Sequence, residues 1–230
     1  WNEAEPLYRE ALEVSRETLG NRHLSTLACI GNLGLLLQAK GDLAAAEPLH
    51  RESLEVRRET LGNRHPDTLA AISNLGTFLQ VRGDLAAAEP LCREALVGLR
   101  ETLGNRHPHT LISIDNFAMV LQDKGDLAAA EPLFHEALEV KRETIGSRHP
   151  STLISINNVG MLLKAKGDLD AAGQLLHEAL EVSRKTLGNR HPDTLISINN
   201  LASLSNEKGD LAAAELLFHE ALELSRETLG

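Results

Sequence analysis

The sequence repeats with a period of 42 residues and without insertion or deletion, and this limits the fold more than any single residue does. Glycine followed by aspartate recurs at Gly41, Gly83, Gly125, Gly167 and Gly209. Histidine recurs in the same way at His23, His65, His107, His149 and His191. A fixed period of about 20 to 50 residues indicates stacked supersecondary units, because one unit cannot bury its apolar face without a neighbour. We therefore expect an elongated repeat protein whose role is binding.

Each unit carries two amphipathic helix patterns. In residues 65–104, apolar residues recur at spacings of three and four on both sides of Gly83-Asp84, as on one face of a helix. We name the first pattern helix A and the second helix B. Gly83 is able to take the left-handed conformation that ends helix A, and Asp84 is a preferred N-cap for helix B. This two-residue hinge predicts an antiparallel pair.

The register sets the number and the limits of the units. It predicts a half unit at 1–20, followed by units at 21–62, 63–104, 105–146, 147–188 and 189–230. Helix B is expected at 1–20, 43–62, 85–104, 127–146, 169–188 and 211–230, with five helices A between them, which gives eleven helices. Trp1 occupies the position that Leu43 holds one unit later, and neither end has a polar capping unit. We expect one continuous array that is a fragment of a longer one.

Four helices B contain an interior proline, at Pro6, Pro48, Pro90 and Pro132. An interior proline removes a backbone hydrogen bond and costs about 3 kcal/mol in an isolated helix. These helices are therefore expected to bend or to unwind locally, whereas the last two helices B, which lack the proline, are expected to run straighter.

Composition argues against several classes of partner. The formal net charge is −10 and no block of lysine or arginine offsets it, which disfavours nucleic acid and anionic membranes. A protein or peptide ligand fits better, and a basic one most readily. Cys29 and Cys92 hold different positions in the repeat, so no disulfide framework is expected. Because the sequence shows neither a signal peptide nor a long apolar run, we expect a reduced, cytoplasmic protein.

The ten histidines do not form a metal-binding pattern. Five of them stand one per unit after arginine, too far apart to share an ion at about 2 Å, and each is expected to cap a helix A or to hold its loop. His135, His177 and His219 lie beside glutamates on helix B and are expected to be solvated. Phosphate-binding and nucleophile motifs are absent from the sequence, and a helix stack offers a groove rather than a closed pocket. We expect no metal, no cofactor and no enzymatic activity.

The unit resembles the tetratricopeptide repeat (TPR). The small and large positions of that pattern are matched by Leu33, Gly34, Leu37, Gly41 and Ala46. The repeated unit is similar to those of kinesin light chains, although 42 residues exceed the usual length of about 34. The resemblance implies an all-α fold, a right-handed superhelical solenoid of antiparallel helix pairs. It also implies that the helices A line a concave groove.

A helix turns by about 100° per residue, which places one set of helix A side chains opposite the stripe that packs on helix B. Peptide-binding members of the family use an asparagine on this face to pair with the backbone of an extended ligand, and the resemblance implies the same role here. The equivalent asparagines are Asn32, Asn74, Asn116, Asn158 and Asn200. The positions that vary between units, and are expected to set side-chain preference, are Leu35, Thr77, Met119, Met161 and Ser203.

Further side chains are placed on the same face by the helical turn. Its polar end consists of Gln38, Gln80 and Gln122. The residue before the asparagine is also expected there, at Gly31, Ser73, Asp115, Asn157 and Asn199, together with Ile112, Ile154 and Ile196. The expected function is therefore a non-enzymatic scaffold that holds an extended segment of a partner protein.

Alternative interpretations fit the same pattern. Each asparagine could instead bond the neighbouring helix A and fix only the stacking register, and the varied positions could reflect drift on an exposed surface. The array could also be a spacer or a self-associating element, because its terminal helices are expected to expose apolar residues such as Leu7, Leu222 and Leu224. A sensor array attached to an effector domain is a further interpretation.

Overall fold

The computed structural model describes residues 4–229, with side chains for residues 4–227. This part consists of eleven α-helices and contains no strand. The helices B are α1 (Ala4–Leu19), α3 (Leu43–Leu61), α5 (Leu85–Leu103), α7 (Leu127–Ile145), α9 (Leu169–Leu187) and α11 (Leu211–Leu229). The helices A are α2 (Leu24–Ala39), α4 (Pro66–Val81), α6 (Pro108–Asp123), α8 (Pro150–Ala165) and α10 (Pro192–Glu207). The predicted helices are confirmed, while Trp1 and Gly230, which set the predicted limits of the array, lie outside the described residues.

The helices fall into two compact units, one ending at Lys124 and the other beginning at Gly125. In the first unit each helix from α1 to α6 packs against the next, and α4 also contacts α2 and α6. In the second unit each helix from α7 to α11 packs against the next, and α8 also contacts α10. The repeated A and B pairs are thus present in both units, and the single continuous array remains a prediction.

The Gly-Asp turn ends one helix and caps the next. Gly41 has a φ of +82°, and its N–H donates to the carbonyl of Gln38 at 3.0 Å, while the N–H of Asp42 donates to the carbonyl of Leu37 at 2.9 Å. These two bonds form a Schellman motif, and glycine adopts its positive φ without the steric penalty of a Cβ. Asp42 Oδ1 accepts from the N–H of Ala45 at 3.1 Å, which caps α3. The predicted hinge is therefore confirmed.

The longer turn from helix B to helix A is held by a histidine and a threonine. His191 Nδ1 accepts from the N–H of Asp193 at 3.2 Å, and the equivalent histidine caps each helix A in the same way. Thr194 is fully buried, and its Oγ1 donates to the carbonyl of Gly188 at 2.8 Å. The capping role of the histidines is confirmed, whereas no role was predicted for the threonine.

Small residues on helix A allow the following helix B to pack closely. A Cβ added to Gly76 would lie 2.5 Å from Sγ of Cys92, and one added to Gly160 would lie 2.7 Å from Cδ2 of Leu176. Both distances are shorter than van der Waals contact, so a larger residue requires movement of the helix B side chain. The glycine of the TPR pattern therefore sets the distance within each of these helix pairs.

The interior prolines do not interrupt their helices. Helix α3 continues through Pro48 for 19 residues, the same length as α9, which has no proline. Helices α5 and α7 behave identically at Pro90 and Pro132, and Pro6 lies in the first turn of the described part of α1. Of the two predicted outcomes, local unwinding does not occur at these three prolines, because buried residues such as Ala46 and His50 hold α3 on either side of Pro48. Bending at these residues stays a prediction.

Candidate protein-binding face

The candidate site is the open side of the helices A, which we name the A face. It comprises the thirteen predicted residues Asn32, Leu35, Gln38, Asn74, Thr77, Gln80, Asn116, Met119, Gln122, Asn158, Met161, Asn200 and Ser203. Each of these side chains is exposed or half-buried. The opposite sides of the same helices carry the buried leucines and isoleucines of the core. The face is thus accessible in both units, as a ligand-binding role requires, and ligand contact remains a prediction.

Two of the asparagines bond to the preceding helix A. In the first unit Asn116 Nδ2 donates to Ser73 Oγ at 3.0 Å, which links α6 to α4. In the second unit Asn200 Nδ2 donates to Asn157 Oδ1 at 3.4 Å, which links α10 to α8. These contacts are the ones expected if the asparagines fix the stacking register. Because a primary amide has two N–H donors and an acceptor oxygen, each side chain keeps capacity for a further bond.

In α4, α6 and α8 the residue before the asparagine is buried, contrary to prediction, whereas Gly31 is half-buried and Asn199 is exposed. Ser73, Asp115 and Asn157 are only 5%, 6% and 5% exposed, although they were expected on the A face. This position faces the neighbouring helix A, where Ser73 and Asn157 accept the bonds described above. Asn157 also donates from Nδ2 to Ser197 Oγ at 2.8 Å. The A face is therefore narrower than predicted from the helical turn, because the polar side chains of Ser73, Asp115 and Asn157 are buried instead of lying on it.

Isoleucines are exposed beside the asparagines on three of the helices A, one in the first unit and two in the second. Ile112, Ile154 and Ile196 occupy the same position of the repeat, and 53%, 42% and 51% of each is exposed. Each lies four residues before the asparagine of its helix, so the two side chains share one side of that helix. They were predicted to lie on the A face, and their exposure makes them candidates for contact with a ligand. Aliphatic side chains exposed in this way are available to a ligand.

The A face also carries fixed charges in each unit. In the second unit Lys164 Nζ donates to Ser203 Oγ at 2.8 Å and lies 3.0 Å from Glu207 Oε2. In the first unit Gln80 Nε2 donates to Asp123 Oδ2 at 2.7 Å. Ser203 and Gln80 are thus held by neighbouring helices A, so their orientation is set before any ligand arrives.

Ion pairs in register cover the helices B. Arg16 contacts both carboxylate oxygens of Glu52 at 2.6 and 2.8 Å, and Arg184 contacts both of Glu220 at 2.7 and 2.8 Å. A second series links the end of helix A to the preceding helix B, as in the pair of Lys166 with Glu131 at 2.6 Å. The hydrogen bond from Lys166 holds the pKa of the Glu131 carboxyl below its usual value.

Other candidate chemistry is not assembled in the described residues. The thiol of Cys92 is fully buried, and burial raises its pKa to about 12, so it is not a reactive nucleophile. Nowhere in residues 4–227 do three His, Cys, Asp or Glu side chains meet as metal ligands. His135, His177 and His219 are exposed, as predicted. Within the same part of the chain, every helix is too short or too polar to cross a membrane.

Comparisons with known proteins identify the repeat. The family model described as a MalT-like TPR region matches residues 60–228, and the tetratricopeptide repeat model matches residues 1–59 and 30–78. Comparison with curated proteins finds no match. The solved structure of a Podosopora anserina protein with nearly identical TPR-like repeats, of the kinesin light chain type, is 27% identical with a TM-score of 0.68. The match covers 90% of this chain and 98% of that one.

A second solved structure supports the fold alone. BtubC (BKLC) from P. vanneervenii is 22% identical, has a TM-score of 0.75, and is matched over 100% of this chain and 92% of its own. The all-α TPR-like repeat fold predicted from the register is confirmed by these likenesses and by the helix pairs. The chain therefore belongs to the tetratricopeptide repeat family.

Proposed function

We propose that the A face binds an extended segment of a partner protein, without catalysis. The TPR-like fold is commonly a scaffold for protein interactions, and the observation that carries the proposal is the pairing of exposed isoleucines with partly exposed asparagines on the helices A. The isoleucines offer apolar contact, and the amides offer donors and acceptors to the ligand backbone. The isoleucines are exposed and the asparagines are exposed or half-buried, so a ligand can reach both.

The spacing of the helices sets which ligand residues meet the face. Adjacent helices A pack at roughly 10 Å, and an extended chain advances about 3.3 Å per residue. In each unit one asparagine therefore meets roughly every third ligand residue, and in the second unit Ile154 and Ile196 do so at the same interval. An extended segment with apolar side chains at that interval matches the face. Met161 and Ser203, which stand at the varied position, set which ligand side chain each repeat accepts.

The test uses a peptide selected from a random library displayed against the whole chain. Its affinity is then measured for the wild type and for Ile154→Ser with Ile196→Ser. Val97 and Leu216 provide the matched control, because they are exposed aliphatic residues on helices B, 47% and 73% exposed. Loss of two apolar contacts is expected to weaken binding by about tenfold or more, whereas Val97→Ser with Leu216→Ser leaves it unchanged.

The asparagines need separate variants, because Asn116 and Asn200 also bond to the preceding helix A. Asn158→Ala and Asn200→Ala are expected to weaken the selected peptide about threefold to tenfold each, in line with one lost hydrogen bond. Thermal unfolding of the same variants measures their structural role. Equal affinity for the isoleucine and the control variants would place the peptide elsewhere, and the proposal would then be wrong.

Self-association is a second candidate function. Helix α1 exposes Leu7 by 66%, and α11 exposes Leu211, Phe218 and Leu222 by 65%, 45% and 47%. Leu224 is half-buried, so of the three residues predicted to be exposed only Leu7 and Leu222 are so. Burial of each exposed side chain is worth about 1.5–3 kcal/mol, which is sufficient for association at high concentration. Light scattering over a concentration series tests this, and a mass that stays at one chain throughout contradicts it.

A further inference from the structure

A pair of equivalent clefts lies on the helix B side of the first unit, away from the A face. The first, B cleft 1, lies between α1 and α3 above α2, and its floor is formed by Leu12, Leu33 and Leu37. B cleft 2 lies between α3 and α5 above α4, and its floor is formed by Leu54, Leu75 and Leu79. Every lining residue of one cleft is matched in the other by the residue 42 positions later.

The clefts are large enough to receive side chains from a partner. Their volumes are about 520 and 690 Å³, within the range of about 300–1,000 Å³ typical of ligand clefts. Pro48 in B cleft 1 and Pro90 in B cleft 2 lie on the wall and are exposed, and the leucines beneath are at most 5% exposed. Each cleft therefore combines an apolar floor with open access.

The charges on the walls are unbalanced. Arg9 and Arg16 line B cleft 1 and are paired with carboxylates outside it, Glu5 and Glu52. Glu13 and Glu17 line the same cleft and are exposed, and neither has an ion-pair partner among the described residues. The arginines are thus neutralised while the carboxylates of the lining keep their charge.

B cleft 2 repeats this imbalance. Arg51 pairs with Glu47 and Arg58 with Glu94, both outside the lining. Glu55 lines the cleft, is exposed and has no ion-pair partner within residues 4–227. An unpaired carboxylate above an apolar floor favours a ligand group that carries both a cation and an aliphatic stem.

We propose that the two B clefts bind lysine or arginine side chains of a basic partner segment, with the aliphatic stem over the leucine floor and the cation at Glu13, Glu17 and Glu55. Consecutive helices B are separated by roughly 10 Å, so the basic residues stand about three positions apart in an extended segment. The net charge of −10 adds long-range attraction for such a partner. This surface is independent of the A face and does not rest on the function proposed for it.

The second unit offers an internal contrast. The cleft there is lined by Leu180, Glu181 and Lys185, at the positions of Leu54, Glu55 and Glu59. Lys185 forms an ion pair with Glu181, which removes the free carboxylate. Basic side chains are therefore expected to bind at B clefts 1 and 2 and not at this cleft.

The probe is a labelled peptide of repeated Lys-Ser-Thr triplets, and its affinity for the whole chain is measured at low salt. The test variant is Glu13→Gln with Glu17→Gln and Glu55→Gln. The charge-matched control is Glu10→Gln with Glu215→Gln and Glu223→Gln, three exposed carboxylates on helices B outside the B clefts. We expect the test variant to bind about tenfold more weakly or worse, and the control to lose less than about twofold.

A second probe isolates the contact of the aliphatic stem. Replacement of each lysine by 2,4-diaminobutyric acid keeps the charge and removes two methylenes, and the affinity is expected to fall because the cation no longer reaches the wall from the floor. Equal weakening in both variants, or equal binding of both probes, would reveal only general charge attraction and would overturn the proposal. Absence of binding to the lysine probe would overturn it as well. Circular dichroism establishes that each variant is folded.

Discussion

The imidazole of His50 occupies the space left by the missing side chain of Gly34. A Cβ added to Gly34 would lie 3.3 Å from Cε1 of His50, and the ring centroid of Phe78 lies 5.2 Å from that of the imidazole. Only 2% of His50 is exposed, and Nε2 has no hydrogen-bond partner among the described atoms. Burial without a partner disfavours the charged form, so the pKa of His50 lies below its usual value of 6.5.

Acidification is therefore expected to destabilise the first unit. As the pH falls below 6.5, the imidazole takes up a proton in the unfolded chain before it does so in the folded one, so the free energy of unfolding falls with the pH until the folded-state pKa is reached. The slope attributable to one group is at most about 1.4 kcal/mol per pH unit. Urea unfolding across this range measures it, and His50→Leu should flatten the profile. Leucine is suitable because Leu176 faces Gly160 at the same repeat position.

Exposed His177 supplies the control for this change. His177→Leu should leave the pH dependence of unfolding as in the wild type, because His177 is exposed and loses no contact with solvent in the folded state. A wild-type slope retained in His50→Leu would show that another group causes the acid sensitivity.

Gly76→Ala tests the close packing of a helix pair. The new Cβ would lie 2.5 Å from Sγ of Cys92, so the free energy of unfolding should fall by about 1–3 kcal/mol. Cys92→Ala should relieve the clash, and the two changes should couple by about 0.5–3 kcal/mol in a double-mutant cycle measured by urea unfolding. Gly173→Ala is the control, because its Cβ would lie 3.5 Å from Leu204 and alanine favours the helix. Equal effects of the two glycine changes would contradict the packing explanation.

Thr194→Val tests the turn between helices B and A. The isosteric change removes the hydroxyl of buried Thr194 that donates to the carbonyl of Gly188, so the free energy of unfolding should fall by about 0.5–1.5 kcal/mol. Thr186→Val, at an exposed position within a helix B, should change stability by no more than about 0.5 kcal/mol. Thermal unfolding of both variants and of Thr194→Ser separates loss of the hydroxyl from loss of the methyl group.

Arg184→Met tests the ion pairs that link successive helices B. Although Arg184 contacts both oxygens of Glu220, the two side chains are 36% and 37% exposed. Exposed pairs contribute about 1 kcal/mol at most, so the loss in unfolding free energy should stay within that limit and shrink in high salt. A larger loss that persists in high salt would assign the ion pairs a principal role in stacking.

Local features of this fold were predictable because neighbouring residues determine them. Gly41 and Asp42 define a turn by backbone conformation and side-chain capping alone. His191 caps its helix by accepting from the N–H of the residue two positions later. Helix limits follow from these signals. The thirteen A face residues were likewise found by helical periodicity, since one side of each helix must remain opposite the core.

Features that depend on neighbouring units were not predictable from one helix. The burial of Ser73 and Asn157 depends on how far adjacent helices A rotate towards each other, which the periodicity of a single helix leaves open. Glu55 has no ion-pair partner in the described residues because the two nearby arginines pair elsewhere, Arg51 with Glu47 of the same helix and Arg58 with Glu94 of the next helix B. The sequence of one helix does not reveal these choices. Thr194 was missed because its acceptor is a backbone carbonyl across a turn.

Methyl NMR of the isoleucines tests the binding role of the A face most directly. The selected peptide is titrated into protein labelled at isoleucine methyls, in which Ile145 at the end of a helix B is the exposed control, 42% exposed. We predict that the signals of Ile154 and Ile196 shift and saturate with the affinity of the peptide, while that of Ile145 stays in place. Saturable binding without a shift at Ile112, Ile154 or Ile196 would contradict the assignment of the A face as the partner-binding surface.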